Sequence, residues 1–449
     1  MAGDVCRRAV PETISRPALG RVARPGDLYD VTKEKFCGVS IFRKRLLRDS
    51  PAVSRTDNPQ SDFSFTTISS LQEKLQKLNV TGELKLNILA GMFEFEGSAK
   101  YLGHKKDSFK SVESTLLHSV KTVTEHLEFS HEHVQDYISR EVTRYSSAMY
   151  VVVEIEWGAN CIITVTDQNR ENRHKREVEA GMKVQLEKLQ QLLTMTEETE
   201  GDDAQEETYE WKKFSFDIFG DVLPEGLDEF PQTLDDALAL MRKLPQMSRR
   251  YNDGKGMPLK YVMLPVSHLA SHKPSPPLKT FVNAGETWTI KIVKLFDVIT
   301  ELRQKVYDLV EELTDYSYCM TANELEEARR IKDELEVQEA AEKQELIQLL
   351  EDIRSAREDA DCLDEFCNKH RQTAKDMFRE CEIIYESIQR RIEFSKRCER
   401  FGAEYLAPPV DLRIAGACDD YDNVYVLFHG DDDPETMTRN ESAFIELAK

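Results

Sequence analysis

Between residues 280 and 400 the chain is highly charged, periodic and almost free of glycine and proline. Because these two residues are the main helix breakers, long uninterrupted helices are possible in this stretch. One set of side chains in this stretch steps by three and four residues, the spacing of a heptad seam. Its members are Cys367, His370, Ala374, Met377, Cys381, Ile384 and Ile388. A helix with such a seam packs against other helices, and we expect Cys367, His370 and Cys381 to be packing residues.

Two more apolar stripes lie upstream and predict two further helices. The first consists of Ile290, Val293, Phe296, Ile299, Leu302, Val306, Leu309 and Leu313. The second consists of Leu325, Ala328, Ile331, Leu335, Leu346, Leu349 and Ile353, and it follows a capping box from Thr321 to Glu324. Residues 281–402 are thus predicted to form an all-α helical bundle, with a coiled-coil oligomer as the alternative. A linker rich in proline and serine precedes the bundle at residues 266–280.

The preceding part of the chain, residues 1–265, mixes strand-like alternation with shorter helical patterns. Its clearest strand has apolar side chains at alternate positions on both sides of Gly158. These are Val151, Val153, Ile155, Trp157, Cys161, Ile163 and Val165. Because a glycine within such a run marks a bulge or a bend, we predict one long strand that bends at Gly158. A second strand is predicted over residues 116–126.

Two segments of this part carry both kinds of period. Residues 68–78 have helical spacing and a capping box that begins at Ser70, and alternation then covers residues 83–92. Similarly, residues 178–193 carry a helical stripe, and residues 214–218 alternate. The pattern leaves open whether residues 83–92 form a strand or a helix packed on the domain.

Several short motifs stand in an order and at spacings that resemble the stonustoxin family, which comprises the fish-venom cytolysins and their non-venom relatives. The motifs are Pro17–Arg21, Leu28–Asp30, Glu96–Leu102, Gly158–Asn160 and Met257–Pro265. The resemblance implies a perforin-like (MACPF/CDC) domain at residues 1–265. It also implies a bundle similar to the focal-adhesion-targeting fold at residues 281–402 and a partial thioredoxin-like segment at residues 410–449, which includes a strand-like run at 423–428.

The implied fold class is α+β. A bent antiparallel sheet with flanking helical clusters is followed by the all-α bundle and a short α/β fragment. The chain departs from relatives of this kind in two respects. It lacks the aromatic-Gly-Thr-His signature of perforin and complement proteins, and no C-x-x-C pair accompanies the thioredoxin-like segment.

The resemblance also implies pore formation by oligomerisation, in which two helical clusters beside the bent sheet refold into membrane-spanning hairpins. A strand that crosses a bilayer needs about 9–11 residues with apolar side chains at alternate positions. The membrane-insertion candidates are Leu84, Leu86, Ile88, Met92, Phe93, Phe95, Met182, Val184 and Leu186. Gly158 is expected to permit the sheet bend or its opening. The acidic run at residues 196–207 is expected to be a surface loop or a solvated hairpin tip.

The competing interpretation is a non-lytic intracellular scaffold that keeps the same fold. Acidic side chains number 82 against 60 basic ones, and the net charge of −22 opposes binding to nucleic acid. The expected partners are a lipid membrane and either copies of the chain or a second subunit. No enzyme activity, cofactor or metal is expected, because the histidine pairs at residues 131 and 133 and at residues 268 and 272 lack matched ligands.

The first residues contain no apolar stretch of the length found in secretory signals, and no run of 18 apolar residues occurs. Nine scattered cysteines without a C-x-x-C pair are expected to be reduced thiols. The sequence therefore predicts a cytoplasmic location, with unconventional release as the route out of the cell.

Overall fold

The computed structural model divides the chain into two compact units, Met1–Ile299 with Ala341–Lys369, and Thr300–Ala340 with His370–Lys449. The structure describes residues 13–42, 52–67, 70–106, 108–128, 138, 149–171, 173–194, 214–224, 230–266, 285–320, 322–400, 427 and 434–448. The predicted linker at 266–280, the acidic run at 196–207 and the histidine pairs at 131/133 and 268/272 lie outside these residues, apart from Val266 at the start of the linker.

The first unit is built on an antiparallel sheet of eight strands. They are β1 (Ile14–Pro17), β2 (Asp27–Asp30), β3 (Lys35–Ser40), β4 (Val53–Thr67), β5 (Val112–Leu127), β6 (Met149–Asp167), β7 (Ser215–Gly220) and β8 (Met257–Pro265). One path runs in the order β1-β8-β6-β2-β3, and β5 joins β4 to β6. The first half of β6 pairs with β2 and β8, and its second half pairs with β7. This mixture of sheet and helices is the predicted α+β class.

Both predicted strands are present. The alternating residues around Gly158 form the single strand β6, and residues 116–126 lie within β5. β6 is buried along nearly its whole length, because other strands pair along both of its edges and its side chains enter three apolar clusters. The alternation over residues 214–218 corresponds to β7.

Four helices lie between these strands along the chain. They are α1 (Leu71–Lys77), α2 (Leu84–Leu89), α3 (Lys175–Thr194) and α4 (Leu234–Ser248). The predicted capping box of α1 is present, with the Ser70 side chain accepting from the Glu73 amide and the Glu73 side chain accepting from the Ser70 amide. Residues 84–89 are helical, so their alternation does not reflect a strand in this fold. Five of the six residues of α2 are buried, and a helix buried nearly all round shows no helical period in its sequence.

Three long helices follow, α5 (Gly285–Asp315), α6 (Ala322–Arg354) and α7 (Cys362–Glu399), and then the shorter α8 (Pro434–Ala448). In the second unit α5, α6 and α7 share an apolar core that includes the seam residues Cys381, Ile384 and Ile388. The helical bundle predicted from the stripes is therefore present. The predicted cap residue Thr321 and the strand-like run at 423–428, except Leu427, lie outside the described residues.

Ion pairs fix the relative direction of the helices in the second unit. Lys396 of α7 contacts Glu312 of α5 at 2.6 Å, and Arg391 contacts Glu324 of α6 at 2.6 Å. The start of α6 thus lies beside the end of α7, so α6 runs antiparallel to α7. His370 is buried and its ring nitrogen lies 3.2 Å from the Gln338 amide, while Cys381 is fully buried, so both serve packing as predicted. Burial raises the pKa of the Cys381 thiol to about 11.

One position of the predicted α5 stripe is wrong. Ile290 lies in α5, but 40% of its surface is exposed, whereas Val293 and Phe296 are buried. Ile290 stands in the second turn of α5, near the beginning of the helix. A seam needs facing residues along its whole length, and sequence spacing alone does not show where the partner helices stop.

Candidate functional site

Two long connections leave the sheet at one common end. The strands β4, β5, β6 and β7 form a continuous antiparallel ladder in that order. Opposed residues at the end in question are Thr67–Ser114, Val112–Asp167 and Thr166–Ser215. The chain leaves β4 and returns to β5 through residues 68–111, and it leaves β6 and returns to β7 through residues 168–214. Each connection thus joins neighbouring antiparallel strands, which is the relation between the two strands of a hairpin.

The first connection contains α1 and α2, and it holds six of the nine insertion candidates. Leu84 and Leu86 are fully buried, and Ile88 is 7% exposed. Asn87, which an extended strand would place on the polar side, is also buried because it lies on a helix that is covered all round.

The segment after α2 turns at Gly91, where φ is +73°, and becomes more exposed. Met92 is 36% exposed, and Phe93 and Phe95 are half-buried with ring centroids 5.5 Å apart. The guanidinium of Arg21 lies 4.7 Å from the centre of the Phe93 ring, a cation–π contact. This part of the connection is therefore held to the body of the first unit by stacking rather than by deep burial.

α1 is tied to the sheet by a buried ion pair. The Lys74 ammonium lies 3.3 Å from Glu113 of β5 and donates to the carbonyl oxygen of His104 at 3.0 Å. Burial lowers the pKa of Lys74, and the adjacent Glu113 carboxylate opposes that effect. Within the first unit, α1 thus has one anchor on β5.

The bundle helices α5 and α6 also contact this connection within the first unit. The Asp297 carboxylate of α5 accepts a hydrogen bond from the Leu71 amide at 2.7 Å, at the start of α1. Burial raises the pKa of Asp297. Arg354 of α6 donates to Glu83 from Nε at 3.2 Å and from Nη2 at 3.1 Å, and Nη2 also donates to Asn87 Oδ1 at 2.7 Å.

Three of the motifs identified in the sequence meet in space. The Asp221 carboxylate accepts from the Ser98 amide at 2.9 Å and from the Asn160 amide at 2.8 Å. It therefore joins the motif at 96–102 to the motif at 158–160. A side chain at Gly20 would collide with the backbone of Glu96, so the motif at 17–21 meets the same segment. Burial raises the pKa of Asp221 despite these two hydrogen bonds.

Sequence reasoning missed Asp221. The one available signal was its position, directly after Gly220 at the end of the alternating strand β7. An acidic residue at a strand end is common on protein surfaces, so that signal has little specificity.

The second connection begins with α3, whose apolar face packs on the sheet. Met182 and Leu186 are buried in one core with Val112 and Leu116 of β5. Val184 points away from that core and is 52% exposed. Met182 and Leu186 therefore share a helical face that excludes Val184, whereas an extended strand would place all three on one side.

Gly158 lies where the backbones of three strands approach closely. A Cβ atom at Gly158 would stand 1.8 Å from the carbonyl oxygen of Val120 in β5. A Cβ atom at Gly256 would stand 2.3 Å from the carbonyl oxygen of Gly158 itself. Only glycine permits such an approach.

The strand ladders are irregular at this same level. The register shifts between Lys121 and Thr124 in the β5–β6 pairing, and between Glu156 and Trp157 in the β6–β8 pairing. Another shift occurs between Asp57 and Gln60 in the β4–β5 pairing. Bulges of this kind bend a strand and increase its twist.

A polar cluster lies beside Gly158. Glu125 accepts from Trp157 Nε1 at 2.9 Å, and its carboxylate lies 2.9 Å from the Lys255 ammonium and 3.0 Å from Arg55. The ammonium of Lys255 also stands 4.0 Å from the centre of the Trp157 ring. These side chains line a cavity of about 770 Å³. The cluster links β4, β5 and β6 to the residue just before Gly256.

In the described parts of the chain, no group of three or more His, Cys, Asp or Glu side chains is arranged to hold a metal ion. Among the same residues, no helix has an apolar stretch long enough to cross a bilayer.

Comparison with known proteins identifies the first unit. Residues 13–273 match the model of the family described as SNTX, MACPF/CDC-like domain. Cytolytic toxin-beta of Scorpaena plumieri is 27% identical over 267 residues, which are 57% of this chain and 35% of the toxin. Neoverrucotoxin subunit beta of Synanceia verrucosa is 23% identical over 327 residues, 71% of this chain and 43% of that subunit.

A solved structure titled stonustoxin structure superposes with a TM-score of 0.60 at 16% identity, and covers 87% of this chain and 50% of that chain. This likeness shows a shared fold. The chain spans less than half the length of the two relatives named above. The family match covers more than half of the present chain, in the region that contains the bent-sheet motifs and both connections. The chain therefore belongs to the SNTX, MACPF/CDC-like domain family.

Proposed function

We propose that this chain permeabilises lipid membranes by oligomerising and converting the two connections, residues 68–111 and 168–214, into membrane-spanning hairpins. The observation that carries the proposal is their common origin at one end of the β4-β5-β6-β7 ladder. Each connection is longer than the roughly 20 residues that the two strands of a hairpin need. Extension of the four strands would continue a ladder that already exists, so no strand pairing would have to be broken.

In the extended form of the first connection, Leu84, Leu86, Ile88 and Met92 would share one face toward lipid. Phe93 and Phe95 have the opposite parity, so we place them at the level of the headgroups, where aromatic side chains concentrate in transmembrane barrels. The corresponding lipid-facing residues of the second connection would be Met182, Val184 and Leu186. The acidic run at 196–207 would then form the hairpin tip, because charged side chains are costly in the hydrocarbon region.

Gly158 would allow the bend of the sheet to open. The 1.8 Å approach of a Cβ atom to the Val120 carbonyl oxygen and the register shifts in the adjacent ladders support a role for Gly158 in shaping the backbone of the sheet. The polar cluster around Glu125 would hold β4, β5 and β6 together beside Gly158 in the resting fold.

Relatives that match this chain include an alpha and a beta protein from one species, cytolytic toxin-alpha and cytolytic toxin-beta of Scorpaena plumieri. We therefore propose that the chain assembles with copies of itself or with a second, related subunit. Oligomerisation is needed on physical grounds as well, because the few strands that one copy supplies cannot close a wide barrel.

Substitution of Val184 by lysine tests the proposal with little disturbance of the resting fold. Val184 is 52% exposed in α3, so a lysine is accommodated there, yet in the inserted hairpin it would face lipid. A charge at that place costs about 2–4 kcal/mol near the bilayer centre. We expect Val184→Lys to lower the rate of dye release from liposomes at least tenfold, measured with and without proteins from the same source.

The matched control is Val39→Lys, since Val39 is 45% exposed and lies in β3, outside both connections. Its dye release should equal that of the unaltered chain. Equal release by Val184→Lys and the unaltered chain would contradict insertion of α3. If liposomes of every composition stay intact and electron microscopy shows no rings, the scaffold interpretation gains instead.

A further inference from the structure

The ion pair between Arg354 and Glu83 is buried beside α2. The side chains of Arg354 and Glu83 are only 7% and 8% exposed. Two guanidinium nitrogens donate to one oxygen of Glu83, and the same Nη2 donates to Asn87 Oδ1. We call these three residues the Arg354 clasp. All of them lie in the first unit, although 271 residues separate Arg354 from Glu83 along the chain.

The clasp anchors α2 through an ion pair and a hydrogen bond, whereas the remaining buried residues of α2 are apolar. Glu83 immediately precedes α2, and Asn87 stands in its middle. Removing one member of a buried ion pair leaves the other charge without compensation, which is strongly unfavourable. α2 can therefore leave its place only together with the loss of both contacts to Arg354.

Only one of the two polar atoms in the buried side-chain amide of Asn87 is hydrogen-bonded within the described part of the chain. Its oxygen accepts from Arg354, but its amide nitrogen has no hydrogen-bond partner among the described residues. An unsatisfied buried donor destabilises the packed state, and the group regains hydrogen bonds once it reaches water. α2 is thus packed with an internal penalty that the Arg354 contact offsets.

Other residues of α5 and α6 lie beside the first half of the same connection. Asp297 of α5 accepts from the Leu71 amide at the start of α1. A Cβ atom at Gly91, just after α2, would lie 3.5 Å from the side chain of Lys343 in α6. Helices α5 and α6 therefore lie beside residues 71–91 at the beginning, middle and end of that stretch, and the clasp is an ion pair near its middle.

We propose that the Arg354 clasp is the restraint that keeps α2 in its resting place, and that its opening is the step that frees α2 within the first connection. This inference rests on the proposed function, because the freed segment is the one that would enter the membrane. It assigns the restraint to one arginine at the end of α6, and it requires α2 to open before the sheet does.

Hydrogen exchange of the full chain in solution, read by mass spectrometry, tests the clasp without any membrane. We expect Arg354→Met to speed exchange of the peptide covering residues 83–92 at least tenfold while peptides from β6 stay unchanged. Glu83→Gln keeps a neutral acceptor and should give a smaller increase, and it serves as the readout if Arg354→Met does not fold. The matched control is Arg357→Met, since Arg357 is 62% exposed and pairs with Asp352; it should leave exchange unchanged.

A charge exchange, Glu83→Arg with Arg354→Glu, should restore at least half of the lost protection if the two side chains act on each other. Unchanged exchange at 83–92 in both Arg354→Met and Glu83→Gln would overturn the clasp. So would an equal acceleration in β6, because that result would mean general loss of structure.

Dye release by the same variants separates the clasp from the proposed function. Faster exchange at 83–92 together with faster dye release supports both. Faster local exchange with intact liposomes in every variant supports the clasp and contradicts pore formation. Faster dye release without faster local exchange overturns the clasp and leaves pore formation supported.

Discussion

Single residues decide how closely the strands of this sheet approach each other. Gly158 was recognisable in the sequence because it interrupts a regular alternation. What the sequence could not show is the reason, since the atom that a side chain would meet first belongs to Val120, in the neighbouring strand β5. The requirement for glycine here is steric and does not depend on a left-handed backbone.

We expect Gly158→Ala to lower the free energy of unfolding by about 2–3 kcal/mol, because its methyl group would press on a backbone carbonyl that cannot rotate away. Urea unfolding of the variant would measure this loss. The control is Gly181→Ala in α3, where a Cβ atom meets nothing within 4 Å. That substitution should stabilise the chain by about 0.5–1 kcal/mol, since alanine favours a helix more than glycine does. Equal stability of the two variants would refute the close approach at Gly158.

His118 makes the stability of the first unit depend on pH. Its ring is buried, with Nδ1 2.7 Å from the carbonyl oxygen of Met241 and Nε2 2.8 Å from the Ser61 hydroxyl. Because a carbonyl only accepts, Nδ1 carries the proton and Nε2 accepts from Ser61 in the neutral ring. Burial lowers the pKa of His118 below its ordinary value of 6.5.

The unfolded chain therefore binds a proton at His118 before the folded chain does as the pH falls. The contribution of His118 is fully present above about pH 6.5 and is lost below it. We expect the free energy of unfolding to fall through this group as the pH drops from about 7.5 to about 5.5. His118→Gln should remove that part of the pH dependence, which urea unfolding at each pH measures. An unaltered pH dependence in His118→Gln would show that other groups are responsible.

At the scale of the elements, the long helices were predictable from their periodicity, whereas the short buried helix α2 was not. The seam of α7 appears in the sequence because one face of a long helix is buried and the other is in water. α2 has no such contrast, so its alternation of Leu84, Leu86 and Ile88 carried no information about its resting conformation. The same alternation is the property that an inserted strand would need.

The α7 seam offers a direct test of the bundle. Ile388 is fully buried in the core of the second unit, whereas Ile383, on the same helix, is 58% exposed. We expect Ile388→Ala to lower the free energy of unfolding of this unit by about 2–4 kcal/mol, because it leaves a cavity. Ile383→Ala should change it by less than about 0.5 kcal/mol. Calorimetry of both variants measures the difference, and similar losses would mean that the seam is not the packed face.

For the whole molecule, charge determines which membranes can be approached. The net charge of −22 is distributed over a chain that must meet a lipid surface if the proposed function is right. Anionic headgroups repel such a chain, and salt screens the repulsion within about 10 Å at 0.1 M.

We therefore expect binding to vesicles rich in phosphatidylserine to be weak at low salt and to rise several-fold as salt increases. Binding to phosphatidylcholine vesicles should change little over the same range. Co-sedimentation with each type of vesicle measures both trends. Tight binding to anionic vesicles at low salt would show that a local basic surface outweighs the total charge.

The contacts that hold the first connection in place were beyond sequence reasoning for a topological reason. Arg354 and Asp297 belong to helices that are predicted from their apolar stripes alone. The sequence around these two residues gives no sign that they contact Glu83 and Leu71. Pairings between parts of the chain this far apart become visible only when the sheet and the helices are placed together. The motifs near residues 20, 97 and 160 likewise predicted a family, whereas Asp221, which joins two of them, was missed.

The shared end of the two connections has a consequence for mixtures of intact and impaired subunits. If every subunit contributes two adjacent hairpins to a closed wall, a subunit with one hairpin blocked leaves a gap lined by unpaired backbone amides in hydrocarbon. Its intact neighbours cannot bridge that gap, because their own strands are already committed to their partners. One impaired copy would thus disable a whole ring, and a small fraction of such copies would inhibit pore formation by the whole mixture.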